Sequence, residues 1–564
     1  MDLNDKVSIL EAAQIRRVDH LPIVGAYCHK LDLIDIVNRL VPTEMEVGPG
    51  IIVQAMVLDT LSGRSPLYRL VEFFQHQDIE LLLGQDIDAN AFNDTTVGRA
   101  LDMIYATGTM KLFCALAYQA ANLFSCDLRY LHFDTTSVSV WGDYDLYSDK
   151  EESELLEVTY GHSKDKRPDL KQFLIKALCV DRNIPLLGGL EDGNASDKTL
   201  NNQILTSISK IMAKHGLSPG AYIYIADSAL VTEDNFKSMG DNLFITRLPF
   251  SYNECRRVIR NAVEKESWKD VGVIAHSKPT KNRAVASYRV AEDTLSLYGK
   301  GYRAIVVHSS AHDKRRQKRI DRDLKQARQV LEKAVSKEEK VFYFCRKDAE
   351  AACKRLEKTG SEYYRLETHI VEKVKYCRGR PSPNKPRKIA EYRYQIAAEI
   401  KDKHTAIEQK RQEAGCFVLL TNVPQEGELA HTAEQVLRTY KDQHGVERNF
   451  AFLKDPLIVN DLFLKNPSRI EVLGMILLIA LLVWNLMERS MRQYVEQTGK
   501  KLPGWDKKQT DRPTSFMMST KFIGIMVTKI DNHRILTKKL SAVQSSYLVA
   551  LGLTPSIFTN PRPG

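Results

Sequence analysis

The chain has 564 residues, 43% hydrophobic and 27% charged, a globular composition that excludes disorder and leaves room for two to four domains. Its formal net charge of +10 points mildly to a polyanionic partner. Nine cysteines stand singly with no C-x-x-C pair, which argues against a disulfide framework and structural zinc and fits a reducing compartment.

The first 25 residues lack the basic-then-apolar order of a signal peptide. Residues 1–125 read as an N-terminal helical domain. In "GIIVQAMVLDTLSGRSPLYRLVEFFQ" apolar residues recur at helical spacing on both sides of a Gly-Arg-Ser-Pro break, and "NDTTVGRALDMIYATGTMKLF" opens with a cap. Two readings stand for these helices: a helix-turn-helix module that holds DNA, or a plain bundle.

From about 126 the texture changes to α/β. Strands are predicted at "LRYLHFDTTSVSV", "LLEVTYG", "QFLIKALCV" and "IPLLGGLE", then a helix from Ser196 and Asp197. The strand "AYIYIAD", a helix from "TEDNFKSM" and the strand "NLFITRL" follow. Three meandering strands and then α/β alternation is the order of a ribonuclease H-like mixed sheet. Residues 126–250 are its first part, 251–412 an insertion, and 413–490 its second part. The insertion holds strands, a charged helix and the basic loop "CRGRPSPNKPRK". After "CFVLLTNV" one long helix is predicted from about Thr432 to Lys454. The apolar run Val472 to Trp484 is 13 residues, short of the ~20 that span a bilayer, so a buried core helix and a soluble protein are expected. A helical C-terminal segment, 491–564, has a dimerising or DNA-binding role as its expectation.

Three acids carry the chemistry. Asp134 sits inside the first strand and Asp227 at the end of "YIYIAD", where α/β sheets gather ligands. On the long helix, 100° per residue puts Tyr440, Gln443, Glu447 and Lys454 in one stripe, with His444 at its edge. From that stripe alone a solvated helix face is the favoured reading. If Asp134, Asp227 and Glu447 converge they need cations, because like charges raise each other's pKa. Hard Mg²⁺ takes such oxygens, and a pair of ions ~3.5–4 Å apart suits in-line phosphoryl displacement, with Mn²⁺ as a substitute.

The blocks "FDTT", "IADSA" and "Y…Q…E……K", in this order with a long insertion before the last, resemble the DDE transposases of bacterial insertion sequences. The nearest group carries a Y-x2-R-x3-E-x6-K signature, which Tyr440, Glu447 and Lys454 match; Gln443 departs from its arginine. "GHSKDKRPDLKQ", "EDGNASDKT" and "FITRLP" resemble one branch of that group. The resemblance implies a ribonuclease H-like enzyme with Asp134, Asp227 and Glu447 as catalytic metal ligands. It would cut at inverted-repeat ends and join the 3′-hydroxyl to target DNA. It implies that Tyr440 contacts DNA backbone and Lys454 a phosphate, with Gln443 gripping more weakly than a guanidinium. It also implies double-stranded DNA and a homodimer on DNA as partners, no membrane, and a bacterial cytoplasmic, nucleoid-associated location.

Other residues are open to two readings. Lys164, Lys166, Arg167 and Lys171 are phosphate contacts or a charged hairpin tip. Asn194 and Asp197 support the metal ligands or cap a helix, and Thr135 orients its neighbour. Arg378 and Arg380 in "RGRP" resemble the core of a minor-groove hook. Trp268 is a base-stacking residue or a core tryptophan, and Lys314 to Lys325 a solvated helix face. The rival functions are a ribonuclease H-like nuclease without strand transfer and a catalytically inactive DNA-binding derivative.

Overall fold

The structure, a computed structural model, describes residues 13–63, 69–141, 155–181, 183–214, 216–218, 220–274, 285–379, 386–455 and 464–561. It divides into two compact units: Met1–Thr246 with Thr439–Gly564, and Arg247–Arg438. The second unit contains the whole segment 251–412 and runs on to Arg438.

In the first unit, strand β1 (Gln14–Arg17) leads into helices α1 (Leu21–Lys30), α2 (Leu33–Leu40), α3 (Pro49–Ser62), α4 (Leu70–Gln75), α5 (Ile79–Leu83), α6 (Asp94–Thr107) and α7 (Thr109–Leu123). Helix α6 starts where its cap predicts: Asn93 Oδ1 accepts the N–H groups of Thr95 and Thr96. α3 is buried from Pro49 to Leu61, so it has no polar face, and its Gln54 amide donates to the Leu82 carbonyl at 2.9 Å.

A mixed sheet follows. β2 (Tyr130–Val140), β3 (Lys171–Val180) and β4 (Ile184–Glu191) form an antiparallel meander, and β5 (Ile223–Ala226) and β6 (Leu243–Leu248) run parallel to β2, in the order β4-β3-β2-β5-β6. Helices α8 (Asp197–Lys214) and α9 (Glu233–Met239) make the crossovers. "LLEVTYG" contributes only an isolated bridge, Thr159 to Gln172.

The second unit opens with α10 (Asn253–Lys265) and pairs β7 (Lys269–Val273), β8 (Ser287–Leu297) and β9 (Lys300–Ser309) antiparallel. Helices α11 (Ser310–Glu338) and α12 (Arg346–Glu357) flank a second sheet of β10 (Phe342–Tyr343), β11 (Tyr364–Tyr376) and β12 (Ile389–Asp402). Its core holds Leu331, Val335, Leu356, Leu366 and Ile396. α13 (His404–Gln412) precedes β13 (Cys416–Thr421), which pairs antiparallel with β9.

The predicted helix 432–454 is two helices, α14 (Ala433–Lys441) and α15 (His444–Leu453). At the break the bonding tightens to three-residue steps, from Asp442 N to Thr439 O, Gln443 N to Tyr440 O, Gly445 N to Asp442 O and Val446 N to Gln443 O. Asp442 and Gly445, both weak helix formers, sit at this point.

The centre of the first unit is α16 (Pro467–Thr498), capped by Asn466 and ended by Gly499 at φ +68°. Its apolar window is long and hydrophobic enough to cross a membrane, and 89% of it is buried inside the protein. It is apolar all round because α1, α3, α6, α7 and β4 pack about it. The approach to β4 is close: a Cβ at Gly474 would overlap Leu190, and one at Gly188 would crowd Leu478. After it come β14 (Leu502–Pro503), β15 (Gln509–Thr510), α17 (Ser515–Lys521), β16 (Met526–Ile530), β17 (His533–Leu536) and α18 (Ala542–Ala550). β16 pairs with both β1 and β17, so the last segment closes back on the first.

Candidate active site

β2 and β5 lie side by side and parallel, with Tyr130 opposite Ile223, Leu131 opposite Tyr224 and His132 opposite Ile225. Asp134 and Asp227 each stand two residues further on, so the same register brings both carboxylates to one level. β5 ends at Ala226, and Asp227 turns the chain by accepting the Ala229 N–H at 3.0 Å. Asp134 accepts the Thr135 N–H at 2.8 Å.

Burial raises the Asp134 carboxyl to about 6, against the pull of the Lys164 ammonium and the Thr135 N–H, and Asp227 and Asp197 push it further up. Asp227 is also raised, first by burial and then by Asp197, while the Ala229 N–H and Lys164 oppose the shift.

The cation in this group is Lys164. Its Nζ donates to the Thr135 carbonyl at 2.7 Å and hydroxyl at 2.6 Å, and lies 3.3 Å from Asp197 Oδ2 and 3.8 Å from Asp134 Oδ1. The Thr135 hydroxyl donates to Asp197, the first residue of α8. The Lys164 N–H donates to Ser137 Oγ at 2.9 Å, which pins the loop to β2. The loop that read as a charged tip therefore sends one of its lysines inward, and Asp197 joins the acids instead of serving only as a cap.

Lys454 reaches the same loop, with Nζ 2.7 and 2.8 Å from the two Asp165 oxygens. α15, whose C-terminus Lys454 caps, packs against β2. The helix is held by Asn449, whose amide donates to the Asn183 carbonyl at 2.7 Å; the Asn485 amide donates to that carbonyl at 2.9 Å and to Asn449 Oδ1 at 3.0 Å. Buried asparagines of this kind were not among the residues singled out by sequence, since a lone Asn has no periodic signature.

Glu447 is 64% exposed and accepts from His444 Nδ1 at 2.8 Å. Among the described residues no group of three His, Cys, Asp or Glu side chains is gathered tightly enough to hold a metal. The Asp134 and Asp227 pair, by contrast, fits one hard cation, because Mg²⁺ commonly takes one or two carboxylates and fills its sphere with water and phosphate. The single stripe expected for Tyr440, Gln443, Glu447 and Lys454 is corrected: the break at Asp442 changes the phase, so Gln443 is buried and Tyr440 half-buried while Glu447 faces outward.

Arg167 pairs with Asp169 and lies 5.0 Å over the exposed Trp141 ring; Lys171 lies 6.0 Å from the Tyr160 ring centroid. In the second unit Arg378 is exposed, and Arg380 lies outside the described residues. Trp268 is half-buried, between Arg289 at 5.4 Å and the His308 ring at 6.2 Å.

Residues 13–118 match the model of a family described as a domain of unknown function, DUF4277. The match covers β1 and nearly all of α1 to α7 and ends before β2. A comparison with curated proteins finds no match.

Proposed function

We propose that the protein is a metal-dependent DNA transposase with a ribonuclease H-like catalytic core, which cuts at the ends of a mobile element and joins the freed 3′-hydroxyl to target DNA. One observation carries this reading: two half-buried carboxylates, Asp134 on β2 and Asp227 just past the end of the adjacent parallel strand β5, stand level, and burial raises both of them. The strand order β4-β3-β2-β5-β6, a meander followed by parallel strands, supports the ribonuclease H-like assignment. The resemblance of the "FDTT", "IADSA" and glutamate-helix blocks supplies the reaction type.

Asp134 and Asp227 would hold Mg²⁺; the resemblance gives Glu447 as the third ligand, which would have to leave His444 and turn inward from its outward-facing place on α15. A cation bound there would supply Lewis-acid stabilisation of the attacking and leaving oxygens. The protein's own groups do the positioning. Asp197 and Thr135 hold Lys164 beside Asp134, an ammonium aimed where a scissile phosphate would carry negative charge. Lys454, anchored by Asp165, adds a second cation beside the same loop.

The test is a strand-transfer assay on the element's own ends with Asp134→Asn, Asp227→Asn and Glu447→Gln. Each should lose roughly 10³-fold or more in rate, ~4 kcal/mol of transition-state stabilisation. A variant with near-normal cleavage removes that residue from the assignment. Nicked products without joined strands leave a nuclease in place of a transposase.

A further inference from the structure

The β11–β12 hairpin is longer than its support. Its pairing runs from Tyr364 opposite Asp402 to Tyr376 opposite Ile389. The inner end is anchored, with Tyr364, Leu366 and Ile396 in the core beside α11 and α12. β10 covers β12 only at Tyr394 and Gln395. Beyond that point every residue from Val371 to Tyr376 is exposed. Successive strand residues face opposite ways, so six in a row exposed leaves both faces of β11 open for ~20 Å, whereas on β12 Glu391 and Arg393 are half-buried and the Phe342 ring lies against Lys373 and Arg393.

The charge on this free end is predominantly positive. Lys373, Lys375, Arg378, Arg387, Lys388 and Arg393 stand against Glu372 and Glu391. Glu391 holds Lys375 at 2.8 Å and Arg393 at 2.5 Å, which orders the shaft, and Arg378 and Lys388 are exposed beyond it. Apolar side chains lie between the cations: Tyr376 is 47% exposed, Ile389 45% and Tyr392 46%. Edge protection uses lysine above all and would account for Lys373 and Lys375, but not for the three arginines Arg378, Arg387 and Arg393 interleaved with exposed Tyr376, Ile389 and Tyr392.

We propose that this free end is a DNA-contacting arm, a two-stranded ribbon laid into a groove of the duplex; the inference rests on the DNA reading above. A pair of strands ~4.8 Å apart fits the ~12 Å major groove, which admits a ribbon of this width. The cations flank the phosphates while the exposed tyrosines and isoleucine meet sugars and base edges.

The experiment measures binding of the full chain to a labelled 30-base-pair duplex in EDTA over a salt series. The quadruple variant Lys373→Ala, Arg378→Ala, Arg387→Ala, Lys388→Ala should bind at least tenfold more weakly at low salt. Its slope of log affinity against log salt should be shallower by about 3 to 4. A second measurement leaves the ribbon intact: in a Cys345→Ser background, duplex DNA should slow maleimide labelling of the exposed Cys377 several-fold. Wild-type binding matched by the variant in affinity and slope, with Cys377 labelled at its free rate, overturns the arm and leaves the transposase reading standing. A wild-type chain that binds no duplex overturns both. A variant that turns a wild-type dimer into a monomer in sedimentation, with DNA affinity unchanged, assigns the ribbon to self-association and overturns the arm. Loss of the arm's signals together with normal cleavage by Asp134→Asn sinks the catalytic assignment alone.

Discussion

Asp134 is held in a place that penalises its charge. A carboxyl whose folded value is about 6, against ~3.9 unfolded, binds its proton more tightly in the native state. Its contribution to stability is therefore present below about pH 4 and is lost as pH rises through about 6. Without divalent cations the chain should lose roughly 2 kcal/mol between pH 4 and 7 from this residue. Asp134→Asn should recover that loss at pH 7 and change little at pH 4, as read by denaturant unfolding at the two pH values. Mg²⁺ should raise the wild-type melting temperature at pH 7 and leave the Asn variant nearly unmoved, since a ligand stabilises only a state that binds it. A variant no more stable than wild type at pH 7 would show that Lys164 and the Thr135 N–H already offset the burial.

At the level of elements, position follows from backbone fit. α16 reaches β4 through Gly474, where any larger residue meets Leu190. Gly474→Ala should cost about 1–3 kcal/mol in chemical denaturation through overpacking, although alanine is the better helix former. A stabilised variant would mean that Leu190 has room to turn away. The break between α14 and α15 works in the opposite sense. It spoils the stripe read from sequence, yet it lets Asn449 face inward to Asn183 and Asn485 while Lys454 meets Asp165.

Across the first unit, its two chain segments are tied by a buried ion pair. Arg534 on β17 donates to both Asp78 oxygens at 2.7 and 2.9 Å and to Glu80 at 2.6 Å, with the Arg534 and Asp78 side chains 1% and 3% exposed. Removing one partner leaves the other charged and buried. Arg534→Met should cost about 3–5 kcal/mol, and adding Asp78→Leu should recover most of it. Equal losses in the single and double variants, measured by thermal unfolding, would contradict a coupled pair. The family match at 13–118 lies within the helical part that this pair fastens, so the matched segment depends on residues some 450 positions later in the chain.

Local pattern was legible wherever a short run of residues decides its own conformation. "HFD" and "IYIAD" read as strands leading to aspartates, Asn93 as a cap, and the run from Val472 as a buried helix, because alternation, capping and apolar length are properties of neighbours in the chain. Convergence was not legible. That Asp134 and Asp227 stand level depends on the register between two strands about ninety residues apart. That Lys164 and Asp197 join them depends on a loop bonding to Ser137, and the ribbon of β11 and β12 depends on a core supplied by α11 and α12. The sequence by itself determined most of the strands and helices and put Asp134 inside one strand and Asp227 at the end of another. The tertiary structure alone decided which of those acids share one electrostatic field, because Coulomb energy depends on distance through space and long-range register is set by packing.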